Sequence, residues 1–137
     1  MGVRRPIRVG LLGIGTVGSG TFAVLERNRE EIARRAGRRL EIAWVAARNL
    51  DRARGIVGPD VRVTGDVMQI VTDAQIDIVV EVIGGTTVAR QAIMTAIEHG
   101  KHIVTDNKSF KATEGNEIFT SASRHNVMVA FEGAVSV

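Results

Sequence analysis

Apolar positions along the chain fall into two alternating patterns. Ile7 to Leu12, Leu40 to Ala46 and "IDIVVEVIGG" from Ile76 to Gly85 are short, nearly unbroken apolar runs of strand length. Val61 to Thr64, "HIVT" from His102 and "VMVAFE" from Val127 add three shorter strands. Between them the spacing turns helical. Val17, Thr21, Val24, Leu25, Ile32 and Ala36 form one helix face that Gly37 ends, and Val88, Ala89, Ala92, Ile93, Ala96 and Ile97 form another, capped by Thr86 or Thr87 and ended by Gly100. Thr113 to Arg124 reads as a further helix, with Asn126 suited to a left-handed turn after it. "DRARGIVGPD", Asp51 to Asp60, reads as a loop with at most a short helix, and Asp66 can cap a turn through Val71.

Strand and helix in alternation imply parallel strands joined by crossovers, because a tight hairpin cannot reach a parallel neighbour. The expected fold is therefore α/β and doubly wound: a mainly parallel sheet of six strands with helices on both faces. Ligands bind such sheets beyond the carboxyl ends of the strands, where the strand order reverses. That edge carries Gly13 to Gly18, Ala47 to Asn49, Val82 to Thr86 and Thr105 to Lys108.

One stretch of this edge carries most of the chemistry. In "IRVGLLGIGTVGSG", Gly13, Gly15 and Gly18 follow a predicted strand and open a predicted helix, the setting a dinucleotide fingerprint requires. Gly13 permits the turn, Gly15 lets backbone approach a pyrophosphate, and Gly18 lets helix and strand pack closely. The helix opening, Thr16 and Val17, offers free N–H groups and a positive dipole end to phosphate. Gly20 falls inside the helix and is assigned to packing.

At the end of the second strand, an acidic residue would mark NAD by accepting bonds from the ribose 2′-hydroxyl. Arg48 stands there instead, with Arg52 and Arg54 behind it. A guanidinium fork matches a 2′-phosphate, so NADP is favoured and NAD remains possible.

Composition narrows the alternatives. The 137 residues make one domain, with 45% apolar residues but four Phe, one Trp and no Tyr, so the core is aliphatic and stacking platforms for single-stranded nucleic acid are missing. The net charge of +3 is modest, its arginines clustered in Arg27 to Arg39 and Arg48 to Arg54, and no nucleic-acid partner is expected. Cysteine is absent, which removes thiolate chemistry and fits a reducing compartment; with no signal peptide or membrane span, a soluble cytoplasmic protein is expected. His99, His102 and His125 share no metal-ligand spacing, and no serine lies in a nucleophile turn.

Four blocks in order, "VGLLGIGTVGSG", "IDIVVEVIGG", "HGKHIVTDNK" and "VAFEGAV", resemble the amino-terminal half of homoserine dehydrogenase across nearly the whole chain. The resemblance implies a Rossmann domain over residues 1–137, a substrate and dimerisation domain beyond it, and NAD(P)-dependent interconversion of aspartate semialdehyde and homoserine on the way to threonine and methionine. It implies pyrophosphate at Gly13 to Gly18, the 2′-phosphate at Arg48, the nicotinamide side at Gly84 and Gly85 with Thr105, and Lys108 as the catalytic lysine between nicotinamide and substrate. An ammonium at Lys108 would bond the carbonyl oxygen that becomes an alkoxide, or relay its proton. The resemblance also implies a sodium ion on backbone carbonyls of Glu132, Val135 and Val137, and a homodimer for the longer protein.

Two departures stand out. Asp106 takes the place of a small apolar residue before Lys108, and the chain stops at Val137, ahead of the segment that would hold substrate, so residues 1–137 alone are expected to bind cofactor without turnover. "EHGKHIVTDNK" is also similar to a block of glucose-fructose oxidoreductase-like enzymes, which keeps a different NADP oxidoreductase open. A nucleotide-binding module without chemistry is the third alternative.

Overall fold

The computed structural model describes residues 5–107 and 109–131. Six strands, β1 (Ile7–Leu12), β2 (Leu40–Ala46), β3 (Arg62–Thr64), β4 (Ile78–Glu81), β5 (His102–Thr105) and β6 (Val129–Phe131), form one sheet in the order β3-β2-β1-β4-β5-β6. Every neighbouring pair is parallel. The order runs outward from β1 in both directions, so the reversal falls between β1 and β4. This is the expected doubly wound fold, and the helices divide its core in two.

On one face, α4 (Val67–Val71), α5 (Thr87–Glu98) and α6 (Ala112–Arg124) bury Ile70, Val71, Ala92, Ile93, Ala96, Ile97, Ile118 and Ala122 against Leu12, Val79 and Ile103 of the sheet. On the other, α1 (Thr16–Arg27), α2 (Arg29–Ala36) and α3 (Leu50–Val57) cover Val9, Leu11, Ile42 and Val45 with Phe22, Ala53 and Val57. Burying the Val, Leu, Ile and Phe side chains among these is worth roughly 1.5–3 kcal/mol each. The sheet is thereby a rigid platform for the loops at its carboxyl edge.

Five local features differ from the reading of the sequence or add to it. The single helix expected up to Gly37 is broken at Asn28, whose backbone N–H and Nδ2 both donate to the carbonyl of Val24, at 3.0 and 2.9 Å, while its own carbonyl accepts from Ile32 N–H at 2.9 Å. An Asn side chain competing for backbone groups ends one helix and starts the next. The segment Asp51 to Asp60, read as a loop with at most a short helix, is helical over most of its length, in the eight-residue α3. Its N-cap Asn49 accepts from Arg52 N–H at 3.0 Å, and Ala53 and Val57, four apart, face the core; these signals outweigh Gly55. Register shifts between Val9 and Gly10 because β2 carries an extra residue, so Ala43 and Trp44 both pack towards the α4–α6 core. Gly20 packs against nothing: a Cβ there would meet no atom within 4 Å, so its assignment to packing is corrected. Val24 and Val88 are half-exposed rather than core.

The histidines have local roles. His99 and His125 are the C-caps of α5 and α6, their Nδ1 atoms 2.8 and 2.9 Å from the carbonyls of Thr95 and Ser121, and His102 Nδ1 accepts from Met128 N–H at 3.0 Å. Among the described residues, no group of three or more His, Asp or Glu side chains could hold a metal ion, and no helix is long and apolar enough to cross a membrane.

Candidate functional site

A cleft of about 910 Å³ opens at the carboxyl ends of β1, β2 and β4, across the reversal of strand order. Its walls are Gly13, Ile14 and Gly15 after β1, Ala46 to Asn49 with Arg52 after β2, Gly65 to Val67 after β3, and Val82 to Val88 after β4. A hollow of similar size between α5 and α6 is more open and lies away from the strand ends. Strand-end position is the stronger criterion for a nucleotide.

The glycine turn is built for close backbone contact. Gly13 has φ +104°, and a Cβ there would press on the Val82 carbonyl at 3.2 Å. Gly18 lets α1 seat against that turn, because a Cβ would stand 2.3 Å from the Gly13 carbonyl oxygen. Gly15 is the N-cap of α1, and space around its missing Cβ is open to 4 Å. No acidic side chain occupies the first turn of α1, so its positive end is not neutralised from within. Such a cradle fits a phosphate: open space at Gly15 on the cleft wall, and the N-terminal end of α1 behind it.

The Ile14 carbonyl is held from two sides, by Ser19 Oγ at 3.1 Å and by Arg52 Nη1 at 3.1 Å. Arg52 is thus committed to the turn. Arg48, by contrast, is exposed on the cleft wall and has no hydrogen bond or ion pair among the described residues. Its guanidinium is available to a ligand.

The far end of the cleft is the β4–α5 turn, where Gly84 and Gly85 take φ of +83° and +71°. Behind it lies Glu81, with no accessible surface. Its Oε2 accepts from Ile83 N–H at 2.8 Å and Gly84 N–H at 3.4 Å, and its Oε1 from the Thr105 hydroxyl at 2.5 Å. Asn107 Nδ2 donates to the Gly85 carbonyl at 2.5 Å.

Residues 13–132 match the family described as homoserine dehydrogenase, NAD binding domain. The chain belongs to the homoserine dehydrogenase family. The homoserine dehydrogenase of Pseudomonas aeruginosa is 51% identical over 132 residues, which are 96% of this chain and 30% of that protein. That of Methylobacillus glycogenes is 61% identical over 108 residues, 79% of this chain and 26% of its own length. The crystal structure of a homoserine dehydrogenase from Thiobacillus denitrificans superposes with a TM-score of 0.87 at 53% identity, covering 95% of this chain and 30% of that one. The chain therefore spans about 30% of the length of its relatives, the part that binds the nicotinamide cofactor. Identity at this level favours the homoserine dehydrogenase family over a glucose-fructose oxidoreductase-like one.

Of the residues singled out in the sequence, Gly13, Gly15, Arg48, Gly84 and Gly85 share the cleft. Thr16 and Val17 open α1 next to it, and Gly18 lies buried behind it. Thr105 is fully buried and bonded to Glu81, not part of the cleft wall. Asp106 lines a separate hollow of about 360 Å³ with Val80, Val82 and Val104 beside α1, and is not part of the cleft wall either. Lys108, Glu132, Val135 and Val137 lie outside the described residues. Glu81 and Asn107 were missed as site residues, and Arg52, noted only as a cation behind Arg48, instead holds the Ile14 carbonyl. A lone carboxylate inside "IVVEVI" was the signal for Glu81; Asn107 carries none.

Proposed function

We propose that the cleft takes NADP(H), and that residues 1–137 are the cofactor half of an enzyme interconverting aspartate semialdehyde and homoserine. The observation that carries the cofactor choice is Arg48, exposed on the cleft wall at the end of β2 and unpaired among the described residues. A carboxylate there would bond a ribose diol and repel a 2′-phosphate; a guanidinium reverses both effects. Charge-assisted bonds of about 1.5–3 kcal/mol each allow a preference of a hundredfold or more for NADP.

In this reading the N–H groups at Gly15, Thr16 and Val17 face the pyrophosphate, and Arg52 keeps the turn in shape through the Ile14 carbonyl. The turn at Gly84 and Gly85 lies beside the nicotinamide, where the bound cofactor would supply or accept hydride. Lys108 follows Asn107, whose side chain is tied to that turn, and an ammonium at this place would stabilise the alkoxide oxygen of the substrate. Substrate, the homodimer and a sodium site at Glu132, Val135 and Val137 belong to the longer protein and rest on the family resemblance. A cytoplasmic setting suits a chain with no cysteine.

Calorimetry of the 137-residue chain with NADP and with NAD tests the cofactor choice, and NADPH oxidation by aspartate semialdehyde tests the full-length protein. Tighter NADP binding and turnover only in the longer protein are expected. Equal affinities, or no binding of either dinucleotide, would overturn the assignment.

A further inference from the structure

A carboxylate with no solvent contact is costly unless every oxygen is bonded, and an apolar residue at position 81 would serve the core as well. Glu81 instead belongs to a closed circuit. It accepts from Ile83 and Gly84 N–H on one side and from the Thr105 hydroxyl on the other. Thr105 Oγ1 accepts from Asn107 N–H at 3.1 Å, so the hydroxyl hydrogen is left to donate to Glu81. Asn107 Oδ1 accepts from Ser109 N–H at 2.8 Å, and its Nδ2 returns to the Gly85 carbonyl. The circuit joins the β4–α5 turn to the segment after β5, and none of its three side chains lines the cleft.

From this arrangement we infer that Glu81, Thr105 and Asn107 are positioning residues. They fix the Gly84–Gly85 turn against the segment that carries Lys108, and so set the nicotinamide end of the bound dinucleotide while leaving its adenosine end untouched. The inference rests on the assignment of the cleft to a dinucleotide. Both Glu81 oxygens must accept, so an amide at this position keeps the shape and turns an N–H₂ towards a donor.

The test uses the 137-residue chain with two probes, adenosine 2′,5′-bisphosphate for the adenosine end and NADPH for the whole. Affinities are read by calorimetry, and nicotinamide emission reports the far end alone. Glu81→Gln and Thr105→Val should weaken NADPH about tenfold, the equivalent of one lost buried bond, and diminish its emission change. The bisphosphate should stay within about twofold, below the effect of any single bond. Thr105→Ser, which keeps the hydroxyl, should bind NADPH like the unmodified chain. Should those two variants fail to fold, Asn107→Ala removes the side-chain links to Gly85 and Ser109, leaves the Glu81–Thr105 bond in place, and must show the same split. Parallel losses for both probes, unchanged NADPH binding, or no emission change on the unmodified chain would each overturn the inference. An unmodified chain that binds neither probe would overturn the cleft assignment itself.

Discussion

A Cβ on Gly18 would stand 2.3 Å from the carbonyl oxygen of Gly13 and 2.8 Å from its carbonyl carbon, both backbone atoms that cannot swing aside. Gly15, between them in the same motif, would carry a Cβ into open space. Gly18 is required by the fold, and Gly15 is free for the role in phosphate binding proposed for it.

Alanine substitutions should separate the two. Gly18→Ala should cost about 1–3 kcal/mol in urea unfolding, as overpacking against fixed atoms does. Gly15→Ala should change stability by roughly 1 kcal/mol or less, the scale of an N-cap exchange. Its NADPH affinity should nevertheless fall at least about tenfold, since the methyl fills the phosphate approach. A Gly15→Ala chain that binds like the parent would remove the cradle from the account.

The two arginines beyond β2 should respond differently to cofactor type. Arg48→Asp should weaken NADP and favour NAD, closing the gap between them on the order of a hundredfold. Arg52→Met should weaken both dinucleotides alike, because Arg52 acts on the Ile14 carbonyl rather than on the 2′ position. Calorimetry of each variant with both cofactors decides, and a selective effect at Arg52 would show that the division of labour is wrong.

Most of the fold is legible in the sequence because its central strands are covered on both faces and announce themselves as apolar runs. The glycine spacing marks the cleft for the same reason: Gly13 and Gly18 are backbone demands that only one residue type meets. Other features depend on contacts that no local pattern encodes. Asn28 looks like any polar residue in a helix until its amide reaches the Val24 carbonyl. The bulge at Ala43 is set by how Trp44 packs, with its Nε1 2.8 Å from Asp73 Oδ2 and the Arg62 guanidinium 4.0 Å over its ring. Thr105 reads as a cofactor contact because it sits at a strand's carboxyl end, yet its hydroxyl points inward to Glu81. Strand-end position gives the edge; it does not give the direction of each side chain.

Lys108 should divide turnover from binding. In the full-length protein, Lys108→Ala should lower kcat by about 10²–10³, the range for loss of one donor to a developing oxyanion, and leave NADP affinity nearly unchanged. Steady-state kinetics with aspartate semialdehyde and a binding isotherm give both numbers. A rise in KM alone, with kcat kept, would assign Lys108 to uniform substrate binding.

Lys101 gives the stability a pH dependence whose sign can be worked out. It is 3% exposed, and its Nζ donates to the carbonyls of Asp73 at 2.6 Å and Ile76 at 2.9 Å, closing the lower edge of the sheet. Burial pushes its pKa below the ordinary 10.5, against the opposing pull of Asp73 and Asp77. The unfolded chain titrates near that ordinary value, so between the folded pKa and 10.5 it binds more protons than the folded one. Within that window the contribution of Lys101 to stability rises with pH; below it and above it the contribution is flat. The neutral amine retains two N–H groups, enough for both carbonyls, so deprotonation removes the desolvation cost without breaking a bond. Lys101→Arg stays charged throughout and lacks this slope. Urea unfolding of both chains from neutral pH to the unfolded pKa should therefore show the parent gaining on the variant as pH rises. Lys101→Met, which leaves two carbonyls without a donor, should lose about 1–3 kcal/mol at neutral pH. A parent-to-arginine difference that stays constant or shrinks with pH would mean that the Lys101 ammonium is as well solvated in the folded chain as in water.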